Sequence, residues 1–277
     1  MKSIRGGRGL GDAIYVAGVV RHLLARGEAL DICTDFPDVY RQMQGRLRFS
    51  AYRRRPADIV AHYTTRRHMP GSSQFDDCCV TAGLPHGLEF RLDWKPVNLD
   101  LLERLKSTGK PIIAVQMPRA PFGRDDGYGV EFLPDVYTIQ RAIDVLRGRA
   151  FVVQIGQGKP ERFDGQRLMP FEGYHGIDLD LANRTSVCDV MDIGFAAHGF
   201  LGQCSFIIPL AECFAKPVLL VWSRRGLKSS HEVVRQMTPQ KILHRPTSRA
   251  VIDDCSDQEL RVSINALCEQ VGSALAA

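Results

Sequence analysis

The chain has 277 residues, 44% of them apolar and 24% charged, with a formal net charge of +5. That composition is ordinary for a folded globular protein and excludes disordered, collagen-like and coiled-coil classes. The length suits one large or two compact domains. No apolar run approaches the roughly 20 residues that cross a bilayer. The start passes from Met1-Lys2 into Gly6-Gly7 without the apolar stretch of a secretory signal. Eight cysteines without such a signal point to reduced thiols and a cytoplasmic setting. No CxxC pair occurs and Cys78-Cys79 are vicinal, so the cysteine spacing is not that of a zinc site.

In chain order, a short strand over Ser3–Arg5 precedes a helix over 12–26. Ile14, Ala17, Val20 and Leu24 stand there near helical spacing, and Gly27 closes it. Strands are expected at Ala29–Thr34, Leu47–Tyr52 and Ile59–Tyr63, then a Ser-capped helix over 72–83 with a Gly stop. Leu99–Ser107 leads to Gly109-Lys110-Pro111, where we place a domain boundary. Beyond it come a strand at Ile112–Gln116, a helix over 132–148, and a strand at Ala150–Ile155 ending at Gly156. A helix at Val187–Ala197, a strand at Gly199–Leu201, a helix at Phe206–Ala215 and a strand at Pro217–Trp222 follow. The alternation predicts α/β layers with parallel sheets: a first domain over 1–109, a second over 110–255, and a terminal helix over 256–277 that can pack back on the first domain.

Three loops can carry chemistry. Gly6-Gly7-Arg8-Gly9-Leu10-Gly11-Asp12 opens a helix. Its glycines allow close backbone approach and positive φ, and the helix start favours an anion. Asp12 is then either an N-cap or a carboxylate at a ligand cleft. Gly7-Arg8-Gly9 also begins a dinucleotide fingerprint, with Asp31 as the ribose acid, but Asp12 occupies the final glycine position. Gly199 to Ser205 runs from a strand into a helix; Ser205 is either a cap or a phosphate contact. Arg119 and Arg124 follow the first strand of the second half and could clamp a diphosphate. Asp178-Leu179-Asp180 is formally a DxD metal pair, though a loop acid beside a packed Leu is the commoner meaning. Arg53-Arg54-Arg55 and Arg66-Arg67 concentrate charge in the first half, as solvated loops or as phosphate contacts.

The order of these pieces resembles the ADP-heptose:lipopolysaccharide heptosyltransferase family of GT-B glycosyltransferases. Members open with GDxxxxxPxLxxL, here Gly11-Asp12 through Val19-Val20 and Leu23-Leu24. Their second domain carries a stretch like DLTGKTSLxELAALIxxADxFVGNDSGxMHLAAALGKPVVxLFG. Here it runs from Asp180-Leu181-Ala182-Asn183-Arg184-Thr185-Ser186 through Gly202-Gln203-Cys204-Ser205-Phe206 to Lys216-Pro217-Val218. The family's D-S/T-G has become Cys204-Ser205-Phe206, and its His has become Ile208 or Pro209. The resemblance implies a GT-B fold, two Rossmann-like domains with parallel sheets facing a cleft. It implies Asp12 as catalytic base, Ser205 and Arg119 beside the donor diphosphate, Gly156 facing the nucleotide and Glu161 near the nucleoside. Gly9, Gly11, Gln203, Cys204 and Phe206 complete the donor side, with Arg54, Arg55, Arg66 and Arg67 on the acceptor side.

The implied reaction is inverting transfer from a nucleotide-diphosphate sugar without a metal cofactor. The domains would close over the donor, with hinge motion gating turnover. The acceptor is a saccharide or lipopolysaccharide, or a hydroxymethylated DNA base approached through the arginine clusters. Two other classes stay open: a non-catalytic nucleotide- or nucleic-acid-binding protein on a degraded GT-B fold, and an NAD(P)-dependent oxidoreductase.

Overall fold

The structure, a computed structural model, describes residues 1–52, 56–63, 72–120, 129–230, 234, 238–243 and 246–276. The first sheet comprises β1 (Lys2–Arg5), β2 (Leu30–Cys33), β3 (Leu47–Ser50) and β4 (Ile59–Val60). All pair in parallel in the order β3-β2-β1-β4. The strand that looked stunted in the sequence is therefore central, hydrogen-bonded on both sides. Its helices are α1 (Leu10–Ala25), α2 (Gln74–Thr81) and α3 (Leu99–Lys106).

The second unit contains β5 (Ile112–Gln116), α4 (Val136–Leu146), β6 (Phe151–Ile155), the antiparallel hairpin β7 (Glu161–Phe163) and β8 (Leu168–Pro170), and β9 (Leu179–Asp180). It continues with α5 (Val187–Ala196), β10 (Gly199–Gly202), α6 (Ile207–Cys213), β11 (Val218–Trp222), α7 (Arg224–Leu227), α8 (Pro239–Ile242), β12 (Arg249–Ile252) and α9 (Asp257–Ala276). The sheet order is β12-β11-β10-β5-β6-β9, all parallel. Counted from β5, that is the 3-2-1-4-5-6 order of a Rossmann sheet, and β3-β2-β1-β4 is its first four strands. Each sheet thus has a point where strand order reverses: between β1 and β4, and between β5 and β10.

Residues 13–20 of α1 are all buried, because the helix is covered by the first sheet on one side and by α2 and α6 on others. Gly11 permits this: a Cβ there would lie 3.1 Å from the Phe206 Cα and 3.3 Å from the Pro209 Cγ. One continuous apolar core consequently runs from Ile4 and Ile14 to Ile208, Leu210 and Leu220 across both units.

Several boundaries differ from the sequence reading. The helix expected from 132 starts at Val136, since Pro134 lacks an N–H and Asp135 caps the Tyr137 N–H at 3.1 Å. The helix expected to reach Ala215 ends at Cys213, with Ala215 left-handed at φ +57°. Leu260, Ile264, Leu267 and Val271 place α9 on the second sheet beside α4. The return of the terminal helix to the first domain is not the packing observed; Gly199 lets Leu267 and Val271 pack directly over β10.

Candidate functional site

In the first unit the chain leaves β1 through Gly6-Gly7-Arg8-Gly9. None of these glycines, nor Gly11, has a positive φ. Their absent side chains make room instead. A Cβ on Gly7 would lie 2.3 Å from Asp12 Oδ2, and one on Gly9 would lie 3.2 Å from it. The Gly9 N–H donates to Asp12 Oδ2 at 3.0 Å. The loop therefore wraps the Asp12 carboxylate, and the expected left-handed backbone is corrected to a steric requirement. Burial raises the Asp12 pKa above the ordinary 3.8, opposed chiefly by the Gly9 N–H and to a smaller degree by the neighbouring Tyr63 hydroxyl and His62. His62 and Tyr63 leave β4, so the cluster occupies the first sheet's switch point.

In the second unit the loops after β5, β6 and β10 converge. The Gln203 amide donates to the Arg119 carbonyl, and the Ser205 hydroxyl donates to Gln116 Oε1. The Ile207 N–H reaches Ser205 Oγ at 3.4 Å, so Ser205 also closes the start of α6. Arg119 is exposed, and its Nη1 donates to the Gln157 carbonyl at 2.7 Å. Gly158, φ +97°, lies so close that a Cβ would meet Arg119 Nη1 at 1.9 Å. Gly156 takes φ +140° and packs on Met117. Asn183, left-handed at φ +60°, holds this turn: its Oδ1 accepts from the Gly158 N–H at 2.6 Å and its Nδ2 donates to the Gly158 carbonyl at 2.9 Å. Burial pushes the Cys204 thiol up to about 12. The Glu161 N–H donates to the Pro118 carbonyl at 2.9 Å, which ties the hairpin to the same corner.

The two halves meet. A Cβ on Gly11 would lie 3.1 Å from the Phe206 Cα, so the start of α1 packs directly on the loop before α6. Asp12 and residues 203–206 thus share one corner between the sheets, with Arg119 on its second-unit side. Arg54, Arg55, Arg66, Arg67 and Arg124 lie outside the described residues. Asp31 occupies the second position of β2, opposite Ser3 and away from the glycine loop, so the ribose acid of a dinucleotide site is not where that chemistry needs it. Asp178 accepts from the Val152 N–H at 2.8 Å and Asp180 from the Gln154 amide at 2.9 Å, uses that pin the edge strand β9. Among the described residues, no group of three His, Cys, Asp or Glu is placed to hold a metal ion, and no helix is long and apolar enough to cross a membrane.

The sequence reading gives no role to Gln116 or Asn183; for Asn183 the signal is an Asn at the glycine position of the family's DLTGKTSL stretch. A further hollow of about 860 Å³ lies along the same sheet edge, lined by Glu131, Asp135, Phe163, Arg225 and Lys228 among others. Within it Arg224 pairs with Asp254, and Arg225 lies 4.4 Å from the Phe163 centroid.

No protein-family model and no curated protein sequence matches the chain. Solved structures do. Heptosyltransferase II from E. coli matches with TM-score 0.60 at 14% identity, over 98% of this chain and 99% of that one. TibC from enterotoxigenic E. coli H10407, described as an iron-containing dodecameric glycosyltransferase, matches with TM-score 0.60 at 12% identity over 99% and 79%. A family 9 glycosyltransferase from Veillonella parvula matches with TM-score 0.58 at 9% identity over 97% of each chain. TibC is also known in complex with ADP-D-β-D-heptose. What the chain shares with these glycosyltransferases, along nearly its whole length, is the GT-B fold: two Rossmann-like units with parallel sheets.

Proposed function

We propose that the chain is a glycosyltransferase moving a sugar from a nucleotide-diphosphate donor to an acceptor hydroxyl, in the cytoplasm, with inversion and without a metal. One observation carries the reading: a half-buried carboxylate, Asp12, shares a corner with the loop and arginine that end β10 and β5. Inversion needs a base on the acceptor side and charge stabilisation on the leaving-group side. Asp12 takes the acceptor proton, and its raised pKa makes it the stronger base. The departing diphosphate gathers negative charge, which the Arg119 guanidinium can meet bidentately. Gly158 and Asn183 hold that guanidinium's seat before any donor arrives.

The test is a thermal-shift screen against nucleoside diphosphates, nucleotide sugars, NAD and NADP. A ligand at 100 times its Kd adds about 2.7 kcal/mol of stability. One nucleoside diphosphate should stabilise the chain, and Arg119→Ala should weaken that response. Stabilisation by NAD or NADP alone overturns the reading. Transfer assays with the donor so identified, offered saccharides and hydroxymethylated DNA in parallel, then identify the acceptor. Steep loss with salt marks the DNA case.

A second reading draws on the donor loop itself. Cys204 stands where relatives carry an acid, and the polar groups of Gln203 and Ser205 are engaged within the protein. A nucleotide-binding protein without transfer activity would bind the diphosphate equally well in Asp12→Asn and wild type, and would transfer nothing.

A further inference from the structure

We propose that the hollow of about 860 Å³ beyond β11 and β12 is a carbohydrate subsite, holding a neutral sugar unit of the acceptor at a distance from the reacting hydroxyl. The role rests on the glycosyltransferase reading, which counts a saccharide among its acceptors. The volume falls within the roughly 300–1,000 Å³ of ligand pockets. Arg224 and Asp253 follow the carboxyl ends of β11 and β12, where open α/β sheets bind ligands. The walls are fixed before any ligand arrives. Asp253, 9% exposed, accepts from the Asp135 N–H at 2.9 Å and the Arg224 N–H at 3.0 Å, and its carbonyl accepts from the Thr138 hydroxyl at 2.6 Å. The starts of α4 and α7 are thereby tied to the end of β12. The β7–β8 hairpin links the hollow to the donor corner. Glu161 begins β7 beside Pro118, while Phe163, roughly 7 Å further along the strand, borders the hollow.

The groups left free in the hollow define the ligand. Among the described residues, Lys228 forms no ion pair and the Gln166 side-chain amide no hydrogen bond. Arg225 donates through Nη2 to the Leu133 carbonyl, which leaves Nη1 to donate elsewhere. Glu131 accepts with one oxygen from the Ser229 hydroxyl, and Asp135 with one from the Tyr137 N–H; each keeps a second oxygen. Donors and acceptors are therefore offered together. The described lining sets three cations, Arg224, Arg225 and Lys228, against four carboxylates, Glu131, Asp135, Asp253 and Asp254. A phosphate-rich chain such as DNA would meet more like charge than opposite charge. An apolar ligand would strip water from these groups without replacing its hydrogen bonds. A neutral sugar suits both sets, because each hydroxyl can donate to a carboxylate and accept from an ammonium, guanidinium or amide. Phe163 adds apolar surface for the carbons of the sugar ring.

The experiment titrates the full chain with neutral oligosaccharides of glucose, galactose and mannose, with their phosphorylated counterparts and with duplex DNA, following binding by ligand-observed NMR. At least one neutral oligosaccharide should bind. The double variant Gln166→Ala, Lys228→Ala should weaken it about tenfold, the value of one hydrogen bond to a charged group. Both side chains are exposed, so the fold should persist, and an unchanged thermal response to nucleoside diphosphate checks that it does. Three results overturn the proposal: no neutral oligosaccharide bound, equal binding by wild type and the double variant, or tighter binding of the phosphorylated ligands or DNA. In transfer assays the double variant should raise acceptor KM about tenfold and leave donor KM in place. The binding titration needs no donor, so the two readings fail separately. A chain that holds the sugar but transfers from no donor sinks the enzyme reading, while a chain that transfers with an unmoved acceptor KM sinks the subsite.

Discussion

Asp12 is where the needs of stability and of chemistry part. Burial disfavours its charge, so its folded pKa lies above the unfolded value of 3.8. The folded protein then holds the proton more tightly than the unfolded chain. Stability from this group is fully present below pH 3.8 and lost as pH rises through the folded midpoint. At neutral pH the penalty is complete. Asp12→Asn removes the charge while its amide oxygen can still accept from the Gly9 N–H. Its Tm at pH 7.5 should therefore exceed that of wild type, with the gap closing towards pH 4, while transfer falls by about 10²–10⁴-fold. Melting curves across pH decide it; equal Tm at every pH would show that burial does not penalise the carboxylate. The sequence pointed to Asp12 through its four preceding glycines. It did not show what those glycines accommodate, because a missing Cβ reads the same whether the space belongs to a ligand, to Asp12 or, at Gly11, to Phe206.

At the scale of elements, apolar runs located most of the strands, since buried parallel strands are continuous stretches of Val, Ile and Leu. Their ends were less legible. Tyr52, His62 and Tyr63 continue apolar or aromatic runs beyond β3 and β4, but they lack a paired neighbour and turn into the loops that build the site. The turn at 156–158 was legible only at Gly156, because its clamp comes from Asn183, distant in sequence. Asn tolerates the left-handed region better than most residues, so it can replace glycine there and add an amide. Asn183→Gly keeps the backbone and deletes both bonds to Gly158. It should lower Tm by a few degrees, about 1–2 kcal/mol for two partly exposed hydrogen bonds. It should also weaken nucleoside diphosphate binding about tenfold, because the seat of Arg119 is no longer fixed. Calorimetric titration separates the two effects, and unchanged affinity would remove Asn183 from the donor side.

For the whole molecule, the sequence reading of two similar halves holds at the level of topology, whereas the join between them was hidden. It is made by residues with no local signature. Asp192 on α5, fully buried, accepts from the Trp94 indole at 2.6 Å, the Val97 N–H at 3.0 Å and the Asn98 N–H at 2.6 Å, fastening the segment that leads into α3. The Tyr15 hydroxyl lies 3.3 Å from Glu212 across the α1–α6 contact, and the Leu92 N–H donates to the Cys213 carbonyl at 3.3 Å. With one apolar core spanning both sheets, parting the units would expose Ile14, Tyr15, Ile208 and Ala211 to water. Any closure over a donor must then pivot without separating α1 from α6. The thermodynamic consequence is a single cooperative unfolding transition in calorimetry, in place of the two that loosely joined domains give. Asp192→Ala leaves the buried Trp94 indole and the partly exposed Val97 and Asn98 N–H groups without their acceptor, at about 1–3 kcal/mol for the indole and less for the other two. At about 2–4 °C per kcal/mol, Tm should fall by roughly 5–10 °C while the transition stays single. A wild-type endotherm that resolves into two peaks, with Asp192→Ala shifting only the second, would show that the units fold independently and that the shared core does not couple them.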